Sequence, residues 1–133
     1  MFNSIIVADD SATARMIIVR CLKIVGCGSA KFVEAKDGAQ ALEIAKTNGA
    51  DLLVTDLNMP TLDGRSLLTQ IKANPQLAHI PVLVISSAFN DAKEAELIAL
   101  GAFAVLGKPV TVANLAKIIR RLSPQEVMPD ERK

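Results

Sequence analysis

The chain has 133 residues, about one domain's worth, and can bury a core without a metal or disulfide staple. Half of it is hydrophobic and 22% is charged, which excludes a disordered chain. Fifteen Lys+Arg against fourteen Asp+Glu leave a net charge of +1, removing the electrostatic argument for nucleic acid or an anionic membrane as partner.

In chain order, Ser4-Ile5-Ile6-Val7-Ala8 reads as a strand buried on both faces. Residues 12–25, rich in Ile, Met and Leu, read as a helix with Ser11 or Asp10 as N-cap, ending at Gly26. Lys31-Phe32-Val33-Glu34 is a more polar strand, fit for a sheet edge. An Ala-rich helix follows over 39–47, then the strand Leu52-Leu53-Val54. Residues 64–73 place Leu67, Leu68 and Ile71 on one helical face. Val82-Leu83-Val84-Ile85 is the fourth strand, and residues 91–100 form a helix whose apolar stripe is Ala95, Ile98 and Ala99. Phe103-Ala104-Val105-Leu106 is the fifth strand, on which Phe103 and Val105 are expected to share a face. The last helix, 111–122, gathers Val112, Leu115, Ile118, Ile119 and Leu122 opposite Lys117, Arg120 and Arg121.

Five strand–helix units in a row imply an α/β fold, a parallel sheet with helices on both faces. Uninterrupted Val/Ile/Leu runs suit strands covered on both sides. The start carries no basic leader, and Cys21 and Cys27 make no disulfide framework, so reduced thiols and a cytoplasmic location are expected. Apolar runs of about five residues fall far short of the ~20 that cross a bilayer, so no membrane partner is expected. His79 reads as a solvated loop residue, and a lone histidine excludes a Cys₂His₂ zinc site.

In a parallel sheet all strand C-termini share one edge, where ligands bind. Asp9-Asp10 follow the first apolar run, Asp56 the third, Ser86-Ser87 the fourth and Lys108-Pro109 the fifth. Three carboxylates at close quarters repel unless a cation sits among them or some protonate. Hard oxygen donors, few in number, suit Mg²⁺ better than calcium or zinc. A metal, an ammonium and hydroxyl donors together stabilise a phosphoryl group in transfer, and a carboxylate there can be the nucleophile.

With Asp9-Asp10, Thr55-Asp56-Leu57-Asn58-Met59-Pro60, Asp63-Gly64, Ser86 and Lys108-Pro109 in order, the sequence resembles the receiver domain of two-component response regulators. Of these it is most similar to the stand-alone chemotaxis type. The resemblance spans about Ile5 to Leu122 and implies a flavodoxin-like, doubly wound five-stranded sheet of order 2-1-3-4-5. It implies a receiver domain over residues 1–123, while residues 124–133, polar with two prolines, read from their composition as a flexible tail. Asp56 would accept phosphate from a histidine kinase. Asp10, Asp56 and the Asn58 main-chain carbonyl would hold magnesium, with Asp9 acting through water. Ser86 and Lys108 would contact the phosphoryl oxygens, and the Lys108-Pro109 bond would be cis. The implied role is a signalling switch that catalyses only its own phosphorylation and dephosphorylation. Its partners would be a sensor histidine kinase or phosphotransfer protein and an unidentified output protein. The unphosphorylated chain is expected to be monomeric.

Two departures from the family pattern stand out. Ser86 replaces the commoner Thr, and Val105 stands where an aromatic usually swings inward on phosphorylation. Signalling is therefore expected to run through the loop Ser86, Ser87 and Phe89, with Phe89 the candidate moving aromatic, and through the fourth helix. Other classes fit less well. A haloacid-dehalogenase-like hydrolase wants an acid two residues after its nucleophile, where this chain has Asn58. A flavin-binding module wants a Ser/Thr/Gly-rich loop at Asp9-Asp10, and aromatics where the chain has four Phe and no Trp or Tyr.

Overall fold

A computed structural model describes residues 2–122, and the polar tail expected over 124–133 lies outside the described residues. The strands are β1 (Ser4–Ala8), β2 (Lys31–Ala35), β3 (Leu52–Asp56), β4 (Val82–Ser86) and β5 (Ala104–Gly107). They pair in parallel in the order β2-β1-β3-β4-β5, the flavodoxin-like arrangement. Strand β2 pairs with β1 alone and so forms an edge, as its polar sequence suggests. Strands β3 and β4 are buried at every position, which is why their apolar runs do not alternate.

The helices are α1 (Ala12–Leu22), α2 (Gly38–Asn48), α3 (Gly64–Ala73), α4 (Asp91–Ala99) and α5 (Val112–Leu122). On one face of the sheet Leu42, Leu67, Leu68, Ile71 and Leu97 from α2, α3 and α4 pack on Ile6, Leu53, Val82 and Val84. On the other, Ile18 and Leu22 of α1 and Leu115, Ile118 and Ile119 of α5 pack on Ile5, Val7, Val54 and Ile85. Each such Leu or Ile contributes about 1.5–3 kcal/mol by leaving water. Ser11, Asp37, Asp63 and Asn90 cap α1 to α4 through their side chains, and Thr111 accepts from Asn114 N at the start of α5. Each cap is worth about 1 kcal/mol.

Three expectations need correction. The first helix stops at Leu22 and passes into a wide π turn, Lys23–Cys27, in which Gly26 takes φ 118°. Only glycine enters that region readily. The wider turn buries Val25 and Cys27 and turns Ile24 outward, 62% exposed. In α4 the alanine stripe faces solvent: Ala95, Ile98 and Ala99 are exposed and Leu97 is buried. Leu97 and, just past the helix, Leu100 both pack into the α2/α3/α4 layer, so that side turns inward and leaves Ile98 43% exposed. The fifth strand begins at Ala104, one residue late, and Phe103 packs with the α1/α5 layer while Val105 packs with the α2/α3/α4 layer. Phe103 and Val105 therefore do not share a face. The Phe103 ring instead lies 4.8 Å under the Arg121 guanidinium.

Candidate functional site

The parallel register brings the expected residues to one edge of the sheet. Asp56 ends β3 opposite Ile85, and Ser86 ends β4 opposite Gly107. Asp9 follows β1 and Lys108 follows β5, where Lys108 N donates to Ser86 O at 2.9 Å. One carboxylate oxygen each from Asp9, Asp10 and Asp56 lies within 4.8 Å of the others. Asp9 and Asp56 are buried and Asp10 is exposed.

Lys108 Nζ donates to Asp9 Oδ2 at 2.8 Å and stands 3.4 Å from Asp56 Oδ1. Burial pushes the Asp56 pKa above its ordinary value, and the neighbouring Asp9 charge adds to this, against the opposing pull of Lys108. Burial alone would lower the Lys108 pKa. Its hydrogen bond to Asp9 and the charges of Asp56 and Asp9 outweigh that and raise it. The donor set fits a small hard cation, which takes oxygen ligands: three carboxylates lie close enough to share one ion, and one of them, Asp10, is exposed.

The loop after β3 is held tightly. Gly64 N donates to Leu57 O at 2.8 Å, and Gly38 N donates to Leu62 O at 3.0 Å. A Cβ on Gly64 would sit 2.3 Å from the Asp56 carbonyl oxygen, so α3 can start this close to the acidic strand end only with glycine there. Asp63 Oδ1 accepts from Ser66 N at 2.8 Å and so caps α3. Asn58 is exposed at the loop's start, and Thr61 takes φ 69°, an uncommon conformation for a β-branched residue. The Lys108-Pro109 peptide is cis.

Ser86 is fully buried, and its Oγ accepts from Ala88 N at 3.0 Å. By strand alternation its side chain leaves β4 on the face that carries Val84 and Val105, away from the Ile85 side. Ser87 is exposed, Val105 is 4% exposed, and Phe89 is 40% exposed. The Phe89 side chain lies over Gly107, where a Cβ would meet Phe89 Cβ at 3.2 Å. Gly107 follows Val105 by two residues, so Phe89 lies on the same face of β5 as Val105.

Sequence reasoning missed Arg15. Its Nη1 donates to the Asp9 carbonyl at 2.6 Å and its Nε to Glu34 Oε1 at 2.7 Å. The only signal is a basic residue one turn into the first helix, which also carries Arg20, and an acidic residue near the end of the edge strand.

The described residues contain no helix long and apolar enough to cross a membrane. Residues 5–120 match the model of the response regulator receiver domain. The chemotaxis protein CheY-3 of Vibrio cholerae serotype O1 is 36% identical over 122 residues, covering 89% of this chain and 92% of the relative. The chemotaxis protein CheY of Pseudomonas aeruginosa is 35% identical over 118 residues, covering 89% and 94%. Among solved structures, chemotaxis response regulator CheY4 of Vibrio cholerae superposes with TM-score 0.80 at 25% identity, covering 92% of this chain and 99% of that one. The receiver domain of a DNA-binding response regulator from Colwellia psychrerythraea 34H gives TM-score 0.81 at 31% identity, with the same coverage. Sheet order, the acidic strand ends and these likenesses agree, and the chain belongs to the receiver domain family of two-component response regulators, signalling switches of the CheY kind.

Proposed function

We propose that the chain is a phosphorylation-dependent switch whose acceptor is Asp56. The observation that carries this is the group of Asp9, Asp10 and Asp56 oxygens within 4.8 Å of one another, with the Lys108 ammonium against two of them. A carboxylate oxygen of Asp56 attacks the phosphorus of a phosphohistidine on a sensor kinase or phosphotransfer protein. The P–N bond breaks, its electrons return to the donor imidazole, and an acyl phosphate forms on Asp56.

Asp10, Asp56 and the Asn58 carbonyl would hold Mg²⁺, with Asp9 behind a water. Bound there, the cation neutralises carboxylate and phosphoryl charge. Lys108 binds a phosphoryl oxygen and gives up part of its contact with Asp9. An apolar groove of about 300 Å³ beside Lys108, lined by Ala14, Ile17, Ile18, Pro109 and Val110, is where we place the donor protein.

The signal then passes by protein–protein binding in the cytoplasm, with neither nucleic acid nor membrane involved. Ser86 turns from Ala88 N toward the phosphoryl group, carrying Ser87 and Phe89 with it. The Phe89 ring, standing over Gly107, reports that movement in place of an aromatic at 105. The unphosphorylated chain is a monomer in this reading.

Incubation with acetyl phosphate and Mg²⁺, followed by intact mass and peptide mapping, tests the acceptor. The expected result is one acid-labile phosphoryl group on Asp56, absent from Asp56→Asn. Stoichiometric phosphate on the Asn variant would overturn the assignment.

A further inference from the structure

Every polar atom of Asp9 is engaged. Its N donates to Ala35 O at 3.1 Å, Oδ1 accepts from Ser11 N at 2.9 Å and Oδ2 from Lys108 at 2.8 Å. Its carbonyl accepts from Arg15 Nη1 at 2.6 Å. That last bond sets the plane of the peptide joining Asp9 to Asp10, and so the direction in which the Asp10 side chain leaves the backbone. Among the described residues Asp10 has no such bracing of its own: it is the exposed member of the carboxylate group.

Arg15 is itself held. Its side chain is 12% exposed, and its Nε bonds Glu34, the penultimate residue of the edge strand β2. The guanidinium fork thus ties the strand edge to the acidic loop in one fixed geometry, which a lysine ammonium does not reproduce.

From this we infer that Arg15, braced by Glu34, is a positioning residue for the divalent-cation site: it orients the Asp9–Asp10 peptide so that Asp10 can reach the ion. The inference rests on the proposed Mg²⁺ site. It differs in sign from a purely electrostatic role. A positive charge near a cation site weakens cation binding, so by charge alone its removal would tighten Mg²⁺. Loss of orientation weakens it, and groups that orient metal ligands typically matter about 10–100-fold in affinity.

The test titrates Mg²⁺ into the full chain by calorimetry, with melting in chelator as a separate readout. Arg15→Gln is expected to weaken Mg²⁺ about tenfold or more. Arg15→Lys keeps the charge without the fork and is expected to recover only part of that. Arg20→Gln removes an exposed charge from the same helix and is expected to leave the affinity unchanged or slightly tighter. Glu34→Gln releases the brace on the exposed side and is expected to weaken Mg²⁺ a few-fold while the fold persists, and Arg15→Lys, for which charge alone predicts no change, serves if Arg15→Gln does not fold. An Arg15→Gln or Glu34→Gln affinity equal to or tighter than that of the unaltered chain overturns the inference and leaves the site standing. Absence of Mg²⁺ binding by the unaltered chain overturns both.

Discussion

Replacing Lys108 with Met removes the ammonium that faces two buried carboxylates and keeps most of the stem. At an effective dielectric constant of about 20, unit charges 2.8 Å and 3.4 Å apart attract by roughly 6 and 5 kcal/mol. Much of that offsets the desolvation of the three groups. Breaking a buried pair from one side typically costs about 3–5 kcal/mol. The Lys108 side chain is 26% exposed, so water already screens part of the attraction, and the expected loss is about 2–4 kcal/mol. A chain of 133 residues unfolds with an entropy of roughly 0.28 kcal/mol/K, so the midpoint should fall by about 7–14 °C. The sign with pH follows from the shifts. The raised Lys108 pKa contributes stability through neutral pH, lost only as pH rises above the ordinary lysine value of 10.5. Without the ammonium, the Asp56 pKa rises further, and a proton on Asp56 relieves the repulsion, so the variant's deficit shrinks on acidification. Mg²⁺ should shrink it too. The assay is far-ultraviolet circular dichroism melting in chelator at neutral and mildly acidic pH, since the chain has no Trp or Tyr for fluorescence. An unchanged midpoint at neutral pH, or a deficit that grows on acidification, would refute the reasoning.

Asp56→Asn should stabilise the metal-free protein. The raised Asp56 pKa means that the ionised side chain costs stability once pH exceeds the ordinary value of 3.8, so the variant's advantage should grow from acid to neutral pH, and a flat difference in melting midpoint speaks against it. Thr61→Gly relieves a positive φ worth about 1–3 kcal/mol against an unfolded-state cost of up to about 1 kcal/mol, so denaturant unfolding should show a gain on the order of 1 kcal/mol. A loss there would mean that the Thr61 side chain contributes more than its strain. Val105→Ala should cost about 1–3 kcal/mol, yet amide shifts over residues 86–90 should still appear with beryllofluoride. Silence in that loop, with shifts confined to β5, would return the switch to Val105.

The fold was legible because a parallel sheet buried on both faces leaves a plain record: unbroken apolar runs, each followed by the residue that reaches the ligand edge. Asp9, Asp56, Ser86 and Lys108 were found by that rule alone. What failed, failed for physical reasons. Ala95 and Ala99 are ambivalent, comfortable inside or out, so a pattern built on them pointed α4 the wrong way. A one-residue slip at the start of β5 put Phe103 on the wrong face, because side chains alternate. The π turn at Lys23–Cys27 continues directly from the first helix, and only Gly26 marks it. Arg15 and Glu34 are 19 residues apart and meet only once β2 lies beside β1, so no local pattern could pair them. The strain at Thr61 carries no composition signal at all.

Helix α4 buries one residue, Leu97, where α3 buries Gly64, Leu67, Leu68 and Ile71. Besides Leu97 it is tied to α3 by the Arg65–Glu96 ion pair, whose side chains are both more than a third exposed and which therefore holds weakly. Inverting a two-state population from about 1:99 to 99:1 takes about 5.5 kcal/mol. A single phosphoryl group, through a few charge-assisted hydrogen bonds of about 1.5–3 kcal/mol each, supplies that much and little more. It can do so only against an element whose alternative seat lies close in energy. A helix whose one buried residue is a leucine meets that condition, because few packed contacts are lost when the helix slides. The same thin anchoring predicts where amide protons exchange first. The α4 amides should open at free energies well below global unfolding, while those of β3 and β4 wait for the whole molecule to come apart.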